Sequence, residues 1–136
     1  MKKTSVIRKE HFNSAHRLHN PNWSNEKNLS FYGKCNNPNF HGHNYDLEVT
    51  VTGITDEESG YLIDMKVLSN LIKKEVLDCF DHKNLNLDVE EFENLNPTAE
   101  NISKVIYDKL RKQLDLKFEL KIKLYETERN IVVYPA

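Results

Sequence analysis

The segment KCNNPNFHGHNY, residues 34–45, holds a cysteine six positions ahead of a His-Gly-His triplet. In an extended chain His41 and His43 leave the same face about 6.6 Å apart along the strand, and they can converge on one ion through Zn–N bonds of about 2.0–2.1 Å. By itself the triplet is weak, because two solvated histidines at the start of a strand are spelled the same way. A third ligand is needed, and Cys35, His11, His16 and His19 are the nearby candidates. Cys35 together with three histidines would close the shell of a structural zinc. Three histidines without it would leave the fourth position open for water or substrate. Spacing alone does not choose.

Two further groups suit proton chemistry. In CFDHKNLN, Asp81 precedes His82 at the expected end of a helix, and a carboxylate beside an imidazole orients it and favours its protonated form. The plainer reading is a histidine answering the negative end of the helix dipole. In LYETERN, Glu126 ends a strand. It is either a solvated carboxylate or an acceptor for a partner presenting two adjacent N–H donors.

The elements that must position these residues can be read from periodicity. Residues 4–18 alternate as a first strand, with Val6, Phe12, Ser14, His16 and Leu18 on one parity and Ile7 and His11 on the other. His16 shares its parity with the apolar Phe12, whereas His11 and His19 do not, which favours His16 as the third ligand. Residues 19–43 read as loop, with a helical turn around Ser24 to Leu29. A second strand is expected from Tyr45 to Thr52, where Leu47, Val49 and Val51 alternate with polar residues. Asp64 caps a helix with the apolar stripe Leu68, Leu71, Ile72, Val76, Cys79 and Phe80, which makes Cys79 a core residue. Thr98 caps another with the stripe Ile102, Val105, Ile106, Leu110 and Leu114. Strands at 118–125 and Ile131 to Tyr134 follow. The expected fold is α+β, a four-stranded antiparallel sheet in the chain order β-β-α-α-β-β with two helices on one face. Its open edges and bare face call for an oligomer, and strands from several copies closing into a barrel would remove the edges.

Composition narrows the class. A chain of 136 residues fits a single domain, 1–136, with no internal repeat or flexible linker. Its formal charge of −2, with acids and bases interspersed, lacks the basic face of a nucleic-acid binder. Two cysteines in unlike contexts do not make a disulfide framework. The N-terminus starts basic but never opens into an apolar run, and no segment is apolar enough to span a bilayer. The expected location is cytoplasmic, with neither nucleic acid nor membrane as a partner.

Five segments, FNSAHRL, FYGKCNNPNFHGHNY, DHKNLN, PTAEN and LYETERNIVVYPA, together resemble the 6-pyruvoyl tetrahydropterin synthase family, in order from about Val6 to Tyr134. The resemblance implies the tunnelling fold, in which three chains form a twelve-stranded barrel and two trimers stack as a hexamer. It implies that His16, His41 and His43 hold Zn2+ and that Cys35 is a catalytic residue beside the zinc, not bound to it. Asp81 and His82 would work with that cysteine across a subunit interface. Glu126 would anchor the pterin ring, in a pocket lined by Thr98 and Glu100. The implied substrate is 7,8-dihydroneopterin triphosphate, converted to 6-pyruvoyl-tetrahydropterin with Mg2+ accompanying the triphosphate. Two positions depart from the family pattern: Phe40 stands where glycine is common, and Asn13-Ser14-Ala15 permutes a small-residue run. The rival within the superfamily is 6-carboxy-tetrahydropterin synthase of queuosine biosynthesis, which releases acetaldehyde from the same substrate. The rival from another class is a non-catalytic zinc-stabilised domain with Cys35 as fourth ligand.

Overall fold

The computed structural model describes residues 1–136. Strand β1 (Thr4–His16) buries Phe12, Ser14 and His16 and exposes the intervening His11 and Asn13. Next, α1 (Asn25–Tyr32) is capped by Ser24, whose hydroxyl accepts from the Lys27 amide. A 3-10 turn, Gly33–Asn36, carries Cys35. Strand β2 (His41–Gly53) then pairs antiparallel with β1 along its whole length, from Thr4 opposite Gly53 to His16 opposite His41. Directly paired residues of antiparallel strands share a face of the sheet. The parity that buries Phe12 against Tyr45 therefore carries His16, His41 and His43 to that same side.

The helical layer covers this side. Asp64 caps α2 (Met65–Ile72) by accepting from the Lys66 amide, and the helix runs on through a π turn, Lys73–Leu77, into α3 (Asp78–Phe80). After β3 (Lys83–Asn84), α4 (Leu85–Asp88) and a 3-10 turn (Glu90–Phe92), Thr98 caps α5 (Ala99–Arg111) through its hydroxyl and the Asn101 amide. Strands β4 (Glu119–Tyr125) and β5 (Ile131–Tyr134) complete the sheet, antiparallel to β2 and to each other. Leu68, Ile72, Val76 and Phe80 from one helical rod and Ile102, Ile106 and Leu110 from α5 meet Phe12, Tyr45, Leu47, Ile122 and Leu124 of the sheet in one fully buried cluster. Leu71, Cys79, Val105 and Leu114 pack at its margin.

The expectation of four antiparallel strands is corrected. The sheet has five strands in the order β3-β1-β2-β4-β5, and it is mixed because β3 runs parallel to β1 beside Ser14 and Ala15. Two residues carry no alternation that a sequence reading could detect. What holds them is the approach from α3: the Asn13 carbonyl accepts from the His82 amide at 2.6 Å, and the Ser14 hydroxyl donates to the Phe80 carbonyl at 2.6 Å. The helical layer likewise exceeds two, since α1 and the short α4 join the α2–α3 rod and α5. Strand β2 also starts four residues before Tyr45, so the histidine triplet lies inside the ladder.

Asparagines brace the connection between β1 and β2. Buried Asn28 accepts from the Asn20 amide and donates to the carbonyls of Asn20 and Ser24. Asn36 donates to the Leu18 carbonyl, and its own carbonyl accepts from Arg17 Nε. The Leu18 amide donates to the carbonyl of Cys35 at 2.9 Å, fixing the cysteine against the chain two residues beyond His16.

Candidate metal centre and its surroundings

His16 and His41 face each other across the β1–β2 ladder, and His43 sits one step along, opposite Ser14. Their ring centroids lie 4.5 Å apart for His16 and His41 and 5.1 Å for each pair with His43. One ligand nitrogen from each falls within 4.8 Å of the others, a spread that a small shift of the rings would close onto one ion with Zn–N bonds of about 2.1 Å.

Hydrogen bonding sets the state of these rings. The Pro97 carbonyl can only accept, so His16 Nδ1 carries the proton in their 2.8 Å bond and Nε2 keeps its lone pair. That Nε2, together with both ring nitrogens of His41, is buried without any partner. Unpaired buried polar atoms cost about 1–3 kcal/mol each, and a cation held between the rings would relieve His16 Nε2 and one nitrogen of His41. Burial pushes His16 down to about 4; the Pro97 carbonyl opposes this, while charge on His41 and His43 adds to it. His41 is lowered by burial and by His43, against the carboxylate of Glu126. Neutral imidazoles are the form a metal requires. The residues therefore fit a zinc ion.

Cys35 is half-buried, and its sulfur does not join the metal-competent group, which consists of the three histidines. Tyr45 is fully buried, stacked on Phe12 with centroids 4.9 Å apart, and its hydroxyl lies 3.4 Å from His16 Nδ1. Burial raises the Tyr45 phenol, and the negative charges of Glu126 and Cys35 add to the effect, so both groups act on the same spot. Glu126 follows β4, and its amide donates to the Asn130 carbonyl at 3.0 Å to close the turn before β5. The His16 and His43 rings lie beside Tyr45, with centroids 6.2 and 5.5 Å away, and Cys35 and Glu126 are near enough for their charge to act on its phenol. Of the alternative ligands, His11 is exposed on the opposite parity, and His19 is engaged by Asn36.

The remaining residues stand elsewhere. Asp81 accepts from the Asn13 amide at 2.9 Å, which is the main cause holding its carboxyl below the usual range. Its other oxygen lies 3.0 Å from His82 Nδ1. The His82 side chain is 83% exposed, on the outer flank of β1 where β3 attaches. Thr98 follows the proline that orients His16, and Glu100 is exposed in the first turn of α5. Tyr45 and Pro97 were not anticipated. HGHNY did carry a signal for Tyr45, which lies two residues past His43 on the same parity. Nothing local marked Pro97.

The family model for 6-pyruvoyl tetrahydropterin synthase matches residues 5–136. The chain belongs to the 6-pyruvoyl tetrahydropterin synthase family. It is 43% identical over 129 residues to the 6-pyruvoyl tetrahydrobiopterin synthase of Homo sapiens, covering 95% of this chain and 89% of that one. The solved 6-pyruvoyl tetrahydropterin synthase of Caenorhabditis elegans superposes with a TM-score of 0.92 at 37% identity, over 98% of this chain and 96% of the other. A 6-carboxy-5,6,7,8-tetrahydropterin synthase of Bacillus subtilis is 37% identical, but over 79 residues, 55% of this chain and 51% of its own. No helix of the protein is long and apolar enough to cross a membrane.

Proposed function

We propose that the protein is a zinc-dependent 6-pyruvoyl-tetrahydropterin synthase, a lyase that converts 7,8-dihydroneopterin triphosphate to 6-pyruvoyl-tetrahydropterin and triphosphate. The observation that carries this reading is three imidazoles whose ligand nitrogens converge, those of His16 and His41 buried without partners, while the neighbouring thiol stays outside their group. A zinc ion bound there would supply Lewis acidity to the vicinal hydroxyls of the substrate side chain.

The chain's own residues supply the rest. Cys35, not spent as a ligand, is free to take a proton from the side chain. Asp81 orients His82, which returns or removes the second proton from across a subunit boundary; the exposure of that pair in one chain suits such a role. Glu126 accepts two adjacent N–H groups of the pterin ring side by side, and Thr98 and Glu100 line that pocket. Mg2+ accompanies the triphosphate. Exposed Ile131 and Val133 on edge strand β5 suit edge-to-edge assembly of trimers into a barrel and of two trimers into a cytoplasmic hexamer.

The 6-carboxy product is the second reading, supported by the Bacillus subtilis relative; its match over 55% of this chain, against 95% for the human relative, favours the pyruvoyl branch. The test is to incubate zinc-loaded protein with dihydroneopterin triphosphate and Mg2+ and to weigh the products. A mass for 6-pyruvoyl-tetrahydropterin supports the proposal. Acetaldehyde with the 6-carboxy product moves it to the rival, and unconsumed substrate sinks both.

A further inference from the structure

Beside the histidine cluster lies a cavity of about 760 Å³, lined by Arg17, His19, Tyr32, Phe40, Asn96 and Pro97 among others. It adjoins the cluster through covalent neighbours: Arg17 follows His16, Phe40 precedes His41, and the Pro97 carbonyl holds His16. Glu126 lies on the other side, after β4, which flanks β2 opposite β1. The histidines therefore sit between Glu126 and this cavity.

The lining is rich in uncommitted donors. Arg17 spends only Nε, on the Asn36 carbonyl at 2.9 Å, and pairs with no carboxylate. Its backbone is clamped on both sides by the Asn86 side chain, which accepts from its amide and donates to its carbonyl. Asn36 Nδ2 can only donate, so His19 Nδ1 accepts from it at 3.0 Å and the ring proton is on Nε2. The Tyr32 hydroxyl accepts from Asn96 Nδ2 at 3.1 Å and keeps its own hydrogen to give. A positioned guanidinium fork, an imidazole N–H and a phenol O–H make a donor set for phosphate oxygens. Glu93 is the one acid on this lining, and it offers an oxygen ligand to the divalent cation that accompanies a polyphosphate.

The geometry points to this cavity as the binding site for a polyphosphate, which places the leaving group of the reaction on the side of the histidines away from Glu126. The assignment rests on the proposed reaction for its biological meaning, yet it can be tested without turnover. Trp23, the chain's single tryptophan, stacks on Tyr32 with centroids 5.8 Å apart and an interplanar angle of 21°, so its fluorescence reports on the cavity wall.

The experiment titrates inorganic tripolyphosphate with Mg2+ into the full-length protein and follows Trp23 emission, with zinc present and after its removal by chelator. A saturable change is expected in both states, weakened about 10- to 100-fold by Arg17→Met and also weakened by His19→Gln, whose amide oxygen can still accept from Asn36. Circular dichroism confirms that each variant is folded. No saturable change, a change that vanishes with zinc, or binding indifferent to both substitutions overturns the assignment. Tripolyphosphate binding by a protein that leaves dihydroneopterin triphosphate untouched would refute the proposed reaction and leave the cavity assignment standing.

Discussion

His16 Nδ1 donates to the Pro97 carbonyl at 2.8 Å, joining the end of β1 to the residue just before the cap of α5. This one bond fixes the tautomer, aims Nε2 at His41 and His43, and draws the start of α5 toward the sheet. A ligand so oriented binds metal more tightly, because its geometry is settled before the ion arrives. His16→Gln is therefore expected to abolish stoichiometric zinc, read by elemental analysis of the dialysed protein. Chelation of the wild-type protein should cost about 3 kcal/mol of stability relative to free zinc held a hundredfold above its dissociation constant. Unchanged zinc content in the variant would remove His16 from the ligand set.

Metal-free protein should lose stability as pH falls. His16 titrates at about 4 in the folded chain against an unfolded value of 6.5. Between those values the unfolded chain takes up a proton that the folded chain refuses, so acid favours unfolding. The contribution is fully present above pH 6.5, declines as pH falls toward about 4, and amounts to about 3 kcal/mol. His41, lowered for similar reasons, adds in the same direction. Urea midpoints of chelated protein at pH 7, 5.5 and 4 measure the slope, and His16→Ala should flatten it. A slope unaffected by that substitution would place the acid sensitivity elsewhere.

Cys35→Ala separates ligand from catalyst. The thiol lies outside the three-histidine group, so the variant is expected to keep its zinc. Turnover should fall by about 10²- to 10⁴-fold, the usual worth of a positioned acid or base. Zinc lost together with activity would instead support the structural, four-ligand site.

Much of this arrangement was legible because it depends on parity. Phe12, Ser14 and His16 are buried in alternation, and the parity of Tyr45, Leu47 and Val49 reaches back to His43 and His41 because β2 begins at His41, earlier than the strand start expected at Tyr45. The stripes of the α2–α3 rod and α5 were legible for the same reason, and Asp64 and Thr98 cap as their types suggest. Non-local partners were hidden. Pro97 meets His16 across 81 positions, and β3 is two residues held by Asn13 and Phe80 contacts that no local pattern encodes. The Asn-rich loops stand out in the composition, but nothing in it shows that Asn28, Asn36 and Asn86 would serve as internal braces beside the loop that carries Cys35.

The distance of Asp81 and His82 from the other candidates yields a complementation test. In one chain the pair contacts only the Asn13 strand edge, with His82 largely in solvent. If it serves a neighbour's site, Cys35→Ala and His82→Ala protomers mixed by partial denaturation and reassembly should regain activity that neither variant has alone. At half of the mixed interfaces the intact cysteine of a His82→Ala chain then meets the intact histidine of a Cys35→Ala chain, while the other half carry both substitutions. Mixed assemblies as inactive as their parents would confine His82 to its own chain or remove it from catalysis.

Phe40 stands at a position where the backbone itself prefers glycine. Its φ is 69°, in the left-handed region, where a Cβ crowds the following carbonyl at a cost of about 1–2 kcal/mol. Phe40→Gly and Phe40→Ala both remove the ring, so they share the loss of its half-buried packing. They differ in that glycine relieves the backbone and alanine does not. The glycine variant is expected to be the more stable of the two by up to about 1 kcal/mol once its greater freedom in the unfolded chain is counted. This order is the reverse of the one found at ordinary backbone positions. Urea unfolding of the two zinc-loaded variants decides the matter. If alanine proves equal or better, the ring is not retained against backbone strain, and its place on the wall of the Arg17 cavity needs no compensating contact to explain it.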